Sequence, residues 1–172
     1  MKKLLLCISV LFFLVPVVGC IEKETTVTGE FDLWNIGFTF KPNEVYYIVN
    51  TIEWTGKSPV TIKSIELIKR AEQPITYQDD GINYEFFGAD PLKKSGIYGK
   101  SDIGDLKSIE NLEVKGKGKI VLKLSLKDVK EDSDRRVKIK FNVNGNESEK
   151  VVEWNTLEQL TTDKDSNHSI HY

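Results

Sequence analysis

Apolar and polar residues alternate in short runs along most of this chain, and a period of two marks half-buried β-strands. Phe31 and Leu33, then Trp34, Ile36, Phe38 and Phe40, follow this rule with one slip between Leu33 and Trp34. A slip flips the buried face, so it predicts a bulge or two short strands. Lys41-Pro42-Asn43-Glu44 has turn composition. Val45 to Trp54 (VYYIVNTIEW) is β-branched and aromatic throughout. Ile48, Ile52 and Trp54 share one face, and Val45, Tyr47 and Val49 share the other. With both faces apolar, the strand should be central in its sheet. After a Thr55–Pro59 loop, Val60 and Ile62 change parity to Ile65 and Leu67, and the slip at Lys63-Ser64 predicts a bulge. Residues 45–68 are expected to form one antiparallel hairpin.

Pro74 and Asp79-Asp80-Gly81 predict a connection, followed by a strand on Ile82, Tyr84 and Phe86. Gly88 to Asp105 is rich in glycine and lacks a period. A loop of that length inside a domain is usually functional or mobile. Leu106 to Val114 fits a short helix, a strand or irregular chain. Ile120, Leu122, Leu124 and Leu126 predict a strand with one buried face and one mostly wet face. Asp128 to Arg136 reads as a charged loop, and Val137, Ile139, Phe141 and Val143 as another strand. Asn144-Gly145 is the strongest hairpin dipeptide in the chain. Cross-strand pairs contribute roughly 0.2–1 kcal/mol each. A loop of Asn144 to Glu147 would pair Val137 with Trp154, Ile139 with Val152 and Lys138 with Glu153. On those grounds it is expected over a two-residue turn.

About six to eight short strands without a long helix predict an all-β fold, an antiparallel immunoglobulin-like β-sandwich. A small β-barrel is the alternative. The three tryptophans Trp34, Trp54 and Trp154 are expected chiefly in the core.

The first twenty residues follow another rule. Lys2 and Lys3 precede Leu4 to Val18, which is apolar apart from Ser9. A basic start and roughly 7–15 apolar residues describe an export signal. Val17-Val18-Gly19-Cys20 resembles the lipobox of bacterial lipoproteins. That resemblance implies cleavage after Gly19, a diacylglycerol thioether on Cys20 and, in many bacteria, acylation of the new amino terminus. One acyl chain holds a protein only marginally, at about 0.8 kcal/mol per buried CH₂, whereas two make attachment stable. The implied location is the extracytoplasmic face of a cell membrane. Ile21 after the cysteine supplies no aspartate-type retention signal, so an outer membrane is open to it where the organism has one. An uncleaved helix is the chief competing reading, although a span needs about 20 apolar residues and Glu22 follows closely; an ordinary cleaved signal with a soluble product and a cytosolic chain with an apolar start are the others. The domains expected are a signal at 1–19, lipidated Cys20 with a polar tether over 20–28, a sandwich over 29–155 and a polar, disordered tail over 156–172.

Removing the first 19 of 172 residues leaves 153, and loss of Lys2 and Lys3 takes the formal charge from −2 to −4. An acidic, mixed-charge domain argues against a nucleic-acid partner. Cys7 falls inside the signal, so with Cys20 lipidated no thiol remains for a disulfide or metal. No catalytic, cofactor or metal residue is assigned. His168 and His171 lie in the tail, and the EF-hand-like opening at Asp163 has a histidine where glycine is needed. Asp79, Asp80, Glu85, Asp90, Asp102 and Asp105 suit turns, with calcium binding or acid–base work as alternatives. Lys115-Gly116-Lys117-Gly118-Lys119 lacks a P-loop pattern. It reads as a solvated turn or, alternatively, an anion or headgroup contact. Phe87 and Tyr98, with Tyr46, are candidates for an exposed aromatic patch that meets a partner. The function expected is a membrane-anchored binding module with a protein partner at the envelope. A small-ligand or ion receptor and a carboxylate-based hydrolase are the alternatives.

Overall fold

The computed structural model describes residues 27–162, which form two antiparallel sheets packed face to face. The all-β sandwich is therefore the fold, and the sheets do not close into a barrel. In chain order the strands are β1 (Phe31–Leu33), β2 (Val45–Trp54), β3 (Val60–Lys69), β4 (Ile82–Gly88), β5 (Gly96–Tyr98), β6 (Lys107–Ser108), β7 (Glu113–Val114), β8 (Lys117–Leu126), β9 (Arg135–Val143) and β10 (Asn146–Val152). Two single-turn helices, α1 (Tyr77–Asp80) and α2 (Asn155–Glu158), complete the elements. The larger sheet runs β1-β2-β8-β4-β6, with β5 also pairing β2. The smaller runs β10-β9-β3-β7. None of the helices among the described residues is long and apolar enough to cross a membrane.

Alternation builds the core. Ile48, Ile52 and Trp54 of β2 and Ile120, Leu122, Leu124 and Leu126 of β8 face inward. They meet Val60, Ile62, Ile65 and Leu67 of β3 and Val137, Ile139 and Phe141 of β9. All are buried. The parity change in β3 is a bulge, where the register with β9 shifts between Ile62 and Ser64. Phe31, Trp54 and Phe141 close one end of the core, with ring centroids 4.8–5.4 Å apart. The open edge of β3 is covered: the Leu67 N–H donates to Tyr84 Oη at 3.1 Å, and the Ile75 N–H donates to the Leu67 carbonyl at 3.0 Å. Covered edges resist pairing with other chains.

Several expectations are corrected. Residues 45–68 are not a hairpin, because β2 pairs with β1, β5 and β8 while β3 pairs with β9 and β7. The 55–59 loop carries the chain from one sheet to the other. Trp54 packs at this crossing and donates from Nε1 to the Ser58 carbonyl at 2.8 Å. Beyond Leu33 no second strand forms, and Phe40 makes only a parallel bridge to Thr162. Of the readings open for Leu106–Val114, the strand is the one found, as two short strands.

The β9–β10 connection is the two-residue Asn144-Gly145 turn, not the four-residue loop. Val143 faces Asn146 and Val137 faces Val152. Asn144 has φ 52° and Gly145 φ 84°, as a type I′ turn requires. The turn therefore decides the register, against the apolar pairs that the longer loop would have made. Its consequence is that Ile139 faces Lys150, whose ammonium pairs with Glu30 at 2.5 Å.

The domain also continues past 155. Thr156, Leu157 and Leu160 are buried, and the Ile36 N–H donates to Thr156 Oγ1 at 2.7 Å. Residues 156–162 thus belong to the core structure. The expected tail beyond them, with His168, His171 and the Asp163 motif, lies outside the described residues, as do Cys7, Gly19 and Cys20.

Candidate functional site

The outer face of the larger sheet carries a third, small layer. The long 88–105 segment folds back over β2 and β8 so that Ala89 and Ile103 cover Tyr47, Val49 and Val121. This explains why both faces of β2 are apolar. Phe87 and Tyr98 are half-buried against that cluster, so neither stands in an exposed patch. Phe87 faces Val121 across β4–β8, and Tyr98 faces Tyr47 and donates from Oη to the Lys94 carbonyl at 2.9 Å. Tyr46 is half-buried beside the main core and donates from Oη to Glu44 at 2.8 Å.

The edge of this layer brings together three polar side chains. Thr51 and Lys119 are cross-strand partners on the outer faces of β2 and β8. Ser95 enters from the residue preceding β5. Lys119 Nζ donates to Thr51 Oγ1 and to Ser95 Oγ, both at 2.7 Å. The two hydroxyl oxygens are 3.3 Å apart. Thr51 is 3% exposed, Lys119 is half-buried and Ser95 is exposed, so the cluster opens outward at Ser95. Among the described residues no carboxylate lies within ion-pair distance of Lys119. Burial pushes its ammonium pKa down.

Trp34 borders this cluster. Its N–H donates to the Thr51 carbonyl at 3.2 Å, and its own carbonyl accepts from Trp154 Nε1 at 2.9 Å and Asn50 Nδ2 at 2.5 Å. Its backbone is held by three hydrogen bonds while its side chain is 47% exposed. Lys117 Nζ lies 5.1 Å from its ring centroid and 3.6 Å from Glu53. Trp54 and Trp154 are core residues as expected, and Trp34 is the exception.

The Lys-Gly-Lys-Gly-Lys run is thus only partly a turn. Gly116, with φ 70°, makes the corner between β7 and β8, and β8 begins at Lys117. Lys117 and Lys119 share the outer face. Their strand position was hidden in sequence because Gly116 and Gly118 suggest a turn. Gly118 is small for a different reason: an added Cβ would lie 3.3 Å from Ile52 and 3.2 Å from Val114.

The candidate carboxylates are dispersed. The Asp79 N–H donates to Thr76 Oγ1 at the start of α1, and the Thr76 N–H donates to Asp80 Oδ2. Asp80 also pairs with Lys69 at 2.9 Å. Glu85 pairs with Lys123 across β4–β8. Asp90 accepts from the Leu92 N–H at 2.8 Å, and Asp102 and Asp105 are exposed on the overlay. Among the described residues no group of three metal-binding side chains gathers. Two open surface depressions, of about 150 and 440 Å³, lie elsewhere, beside Tyr84 and Lys123 and beside Lys140 and Glu147.

A second polar cluster, unforeseen in sequence, sits at one end of the sandwich. Arg135 and Arg136 were expected in a loop but begin β9 and are 3% and 5% exposed. Arg136 pairs with Glu158 at 2.8 Å and Glu153 at 2.9 Å. Arg135 donates to the carbonyls of Lys130, Leu157 and Leu160. Its Nε has no hydrogen-bond acceptor, the Asp132 carboxylate being 4.0 Å away. These contacts hold the C-terminal segment to the sheet. Comparison with protein-family models, with curated proteins and with solved structures returns no match.

Proposed function

We propose that the chain is a lipoprotein held at the extracytoplasmic face of a membrane through Cys20, and that its β-sandwich is a binding module for a partner at the cell envelope. The observation that carries this reading is the Val17-Val18-Gly19-Cys20 sequence at the end of an uncharged apolar run. Its support from the fold is the short spacing. Val27 already packs against the core, so a tether of only a few residues separates the lipid from the domain. Such a domain would sit close to the bilayer surface.

A receptor for a small ligand is the second reading, favoured by the Lys119 cluster. The carboxylate-hydrolase reading draws no support from the acids, since Asp79, Asp80 and Asp90 serve local turns and Asp80 and Glu85 are paired with lysines.

Metabolic labelling with an alkyne fatty acid in a bacterial host tests the anchor. The wild type should be labelled and found with membranes, and Cys20→Ala should lose the label and leave the membrane fraction. Cys20→Ala that stays membrane-bound like the wild type would overturn the anchor in favour of an uncleaved helix. Crosslinking of the labelled protein in cells then identifies the partner.

A further inference from the structure

We propose that Lys119, Thr51 and Ser95 form a phosphate-binding site on the outer face of the larger sheet. The argument is a count of donors. An ammonium has three protons, and Lys119 uses two on Thr51 Oγ1 and Ser95 Oγ. One remains. Those hydroxyls act as acceptors toward Lys119, so their own protons point elsewhere. The 3.3 Å separation of the two oxygens lets one hydroxyl donate to the other, which still leaves one hydroxyl proton free. The cluster therefore has a positive charge and two uncommitted protons to offer an anion that reaches it from its open side at Ser95, with no carboxylate within ion-pair distance of Lys119 among the described residues. Hydrogen bonds from a cation to phosphate are about twice as strong as neutral ones. A compact ammonium flanked by hydroxyls suits a tetrahedral oxyanion, whereas planar carboxylate recognition favours the fork of arginine.

Two neighbours indicate what the phosphate would carry. Trp34, whose backbone N–H bonds the Thr51 carbonyl, presents an exposed ring 5.1 Å from Nζ of Lys117, two residues before Lys119 on the same strand. Leu92, 91% exposed, lies three residues before Ser95 and so within roughly 11 Å of it along the chain. Exposed apolar groups within reach of a phosphate site fit a phosphoester with an organic substituent. The same chemistry is offered by a soluble phosphoester and by a lipid headgroup. This site deepens the binding-module reading but does not depend on Cys20. A failed lipid labelling would leave it standing, and a failed phosphate titration would leave the anchor standing.

The test is calorimetric titration of the full-length chain in a nonionic detergent at constant ionic strength. The probes are glycerol 3-phosphate and short-chain dihexanoyl phosphatidylglycerol. Saturable binding of both identifies a general phosphoester site, and binding of the lipid alone identifies a headgroup site. Lys119→Gln should weaken either by about tenfold or more, as loss of a charged donor does. Ser95→Ala, an exposed hydroxyl whose removal spares the core, should weaken it roughly threefold to tenfold. Leu92→Ser should weaken only the lipid. The proposal is overturned if the wild type binds neither probe, or if Ser95→Ala and Lys119→Gln bind as the wild type does.

Discussion

Arg135 Nη1 donates to the carbonyl of Leu160 at 3.0 Å, tying the first residue of β9 to the chain's C-terminal segment 25 positions later. The same nitrogen donates to the Leu157 carbonyl at 3.2 Å, and Nη2 donates to Lys130. The Leu157 and Leu160 carbonyls lie within and just beyond the single-turn helix α2, which has no basic residue of its own in its last turn. A helix that short needs tertiary partners to persist.

Arg135→Met should therefore destabilise the protein by roughly 2–4 kcal/mol, because the buried bonds to the Leu157 and Leu160 carbonyls and the part-buried bond to the Lys130 carbonyl lose their charged donor. Urea unfolding measures the loss. Hydrogen exchange should show it concentrated in residues 155–162 and in the Phe40 amide, which donates to the Thr161 carbonyl. Unchanged exchange there would show that Leu157 and Leu160 hold the segment by apolar packing alone.

Stability should fall in acid partly through Asp132. The hydrogen bond from Lys69 holds its carboxyl below the ordinary value near 3.8, against burial, which pushes it up. A depressed folded pKa contributes stability that is full above the ordinary value and is lost as pH falls through the folded one. For Lys69, burial pushes the ammonium down, but hydrogen bonds to Asp132 and Asp80 outweigh it and raise it above 10.5. That contribution is full below the ordinary lysine value and is lost as pH rises through the folded one. Asp132→Asn should flatten the stability difference between about pH 3 and pH 7. If the urea midpoint of the variant falls with acid as steeply as that of the wild type, other groups govern the acid limb.

Phe87→Ala should lower stability by roughly 1–3 kcal/mol, about half of what a fully buried phenylalanine costs. An exposed partner-binding residue would leave it unchanged. Ile103→Ala should loosen the overlay selectively, measured as faster exchange at Gly96–Tyr98 and earlier proteolytic cleavage within 88–106, while the β3–β9 amides keep their protection. Equal loss of protection in both sheets would show that the overlay and the sandwich unfold as one unit.

The alternation of apolar residues by itself determined the all-β class, the buried faces of β2, β3, β4, β8 and β9, and the bulge at Ile62/Ser64. These are local facts, because each side chain's face follows from its parity within a strand. The Asn144-Gly145 register is local too: the conformational demand of the turn outweighs the cross-strand pairs that favour a longer loop. Which strands pair was not legible. Nothing between Trp54 and Val60 distinguishes a hairpin from a crossover, since pairing depends on strands distant in sequence. Only the tertiary structure decided that Gly88 to Asp105 covers β2, that Arg135 and Arg136 are buried, and that Thr156 to Thr162 belongs to the domain. The Lys119 cluster is of the same kind. Thr51, Ser95 and Lys119 carry no shared motif, and their donors converge only where β2, β8 and the overlay meet. The anchor proposed for the first twenty residues is the reverse case: it rests on a short run of sequence alone, because an export signal is recognised as a local pattern before any fold exists.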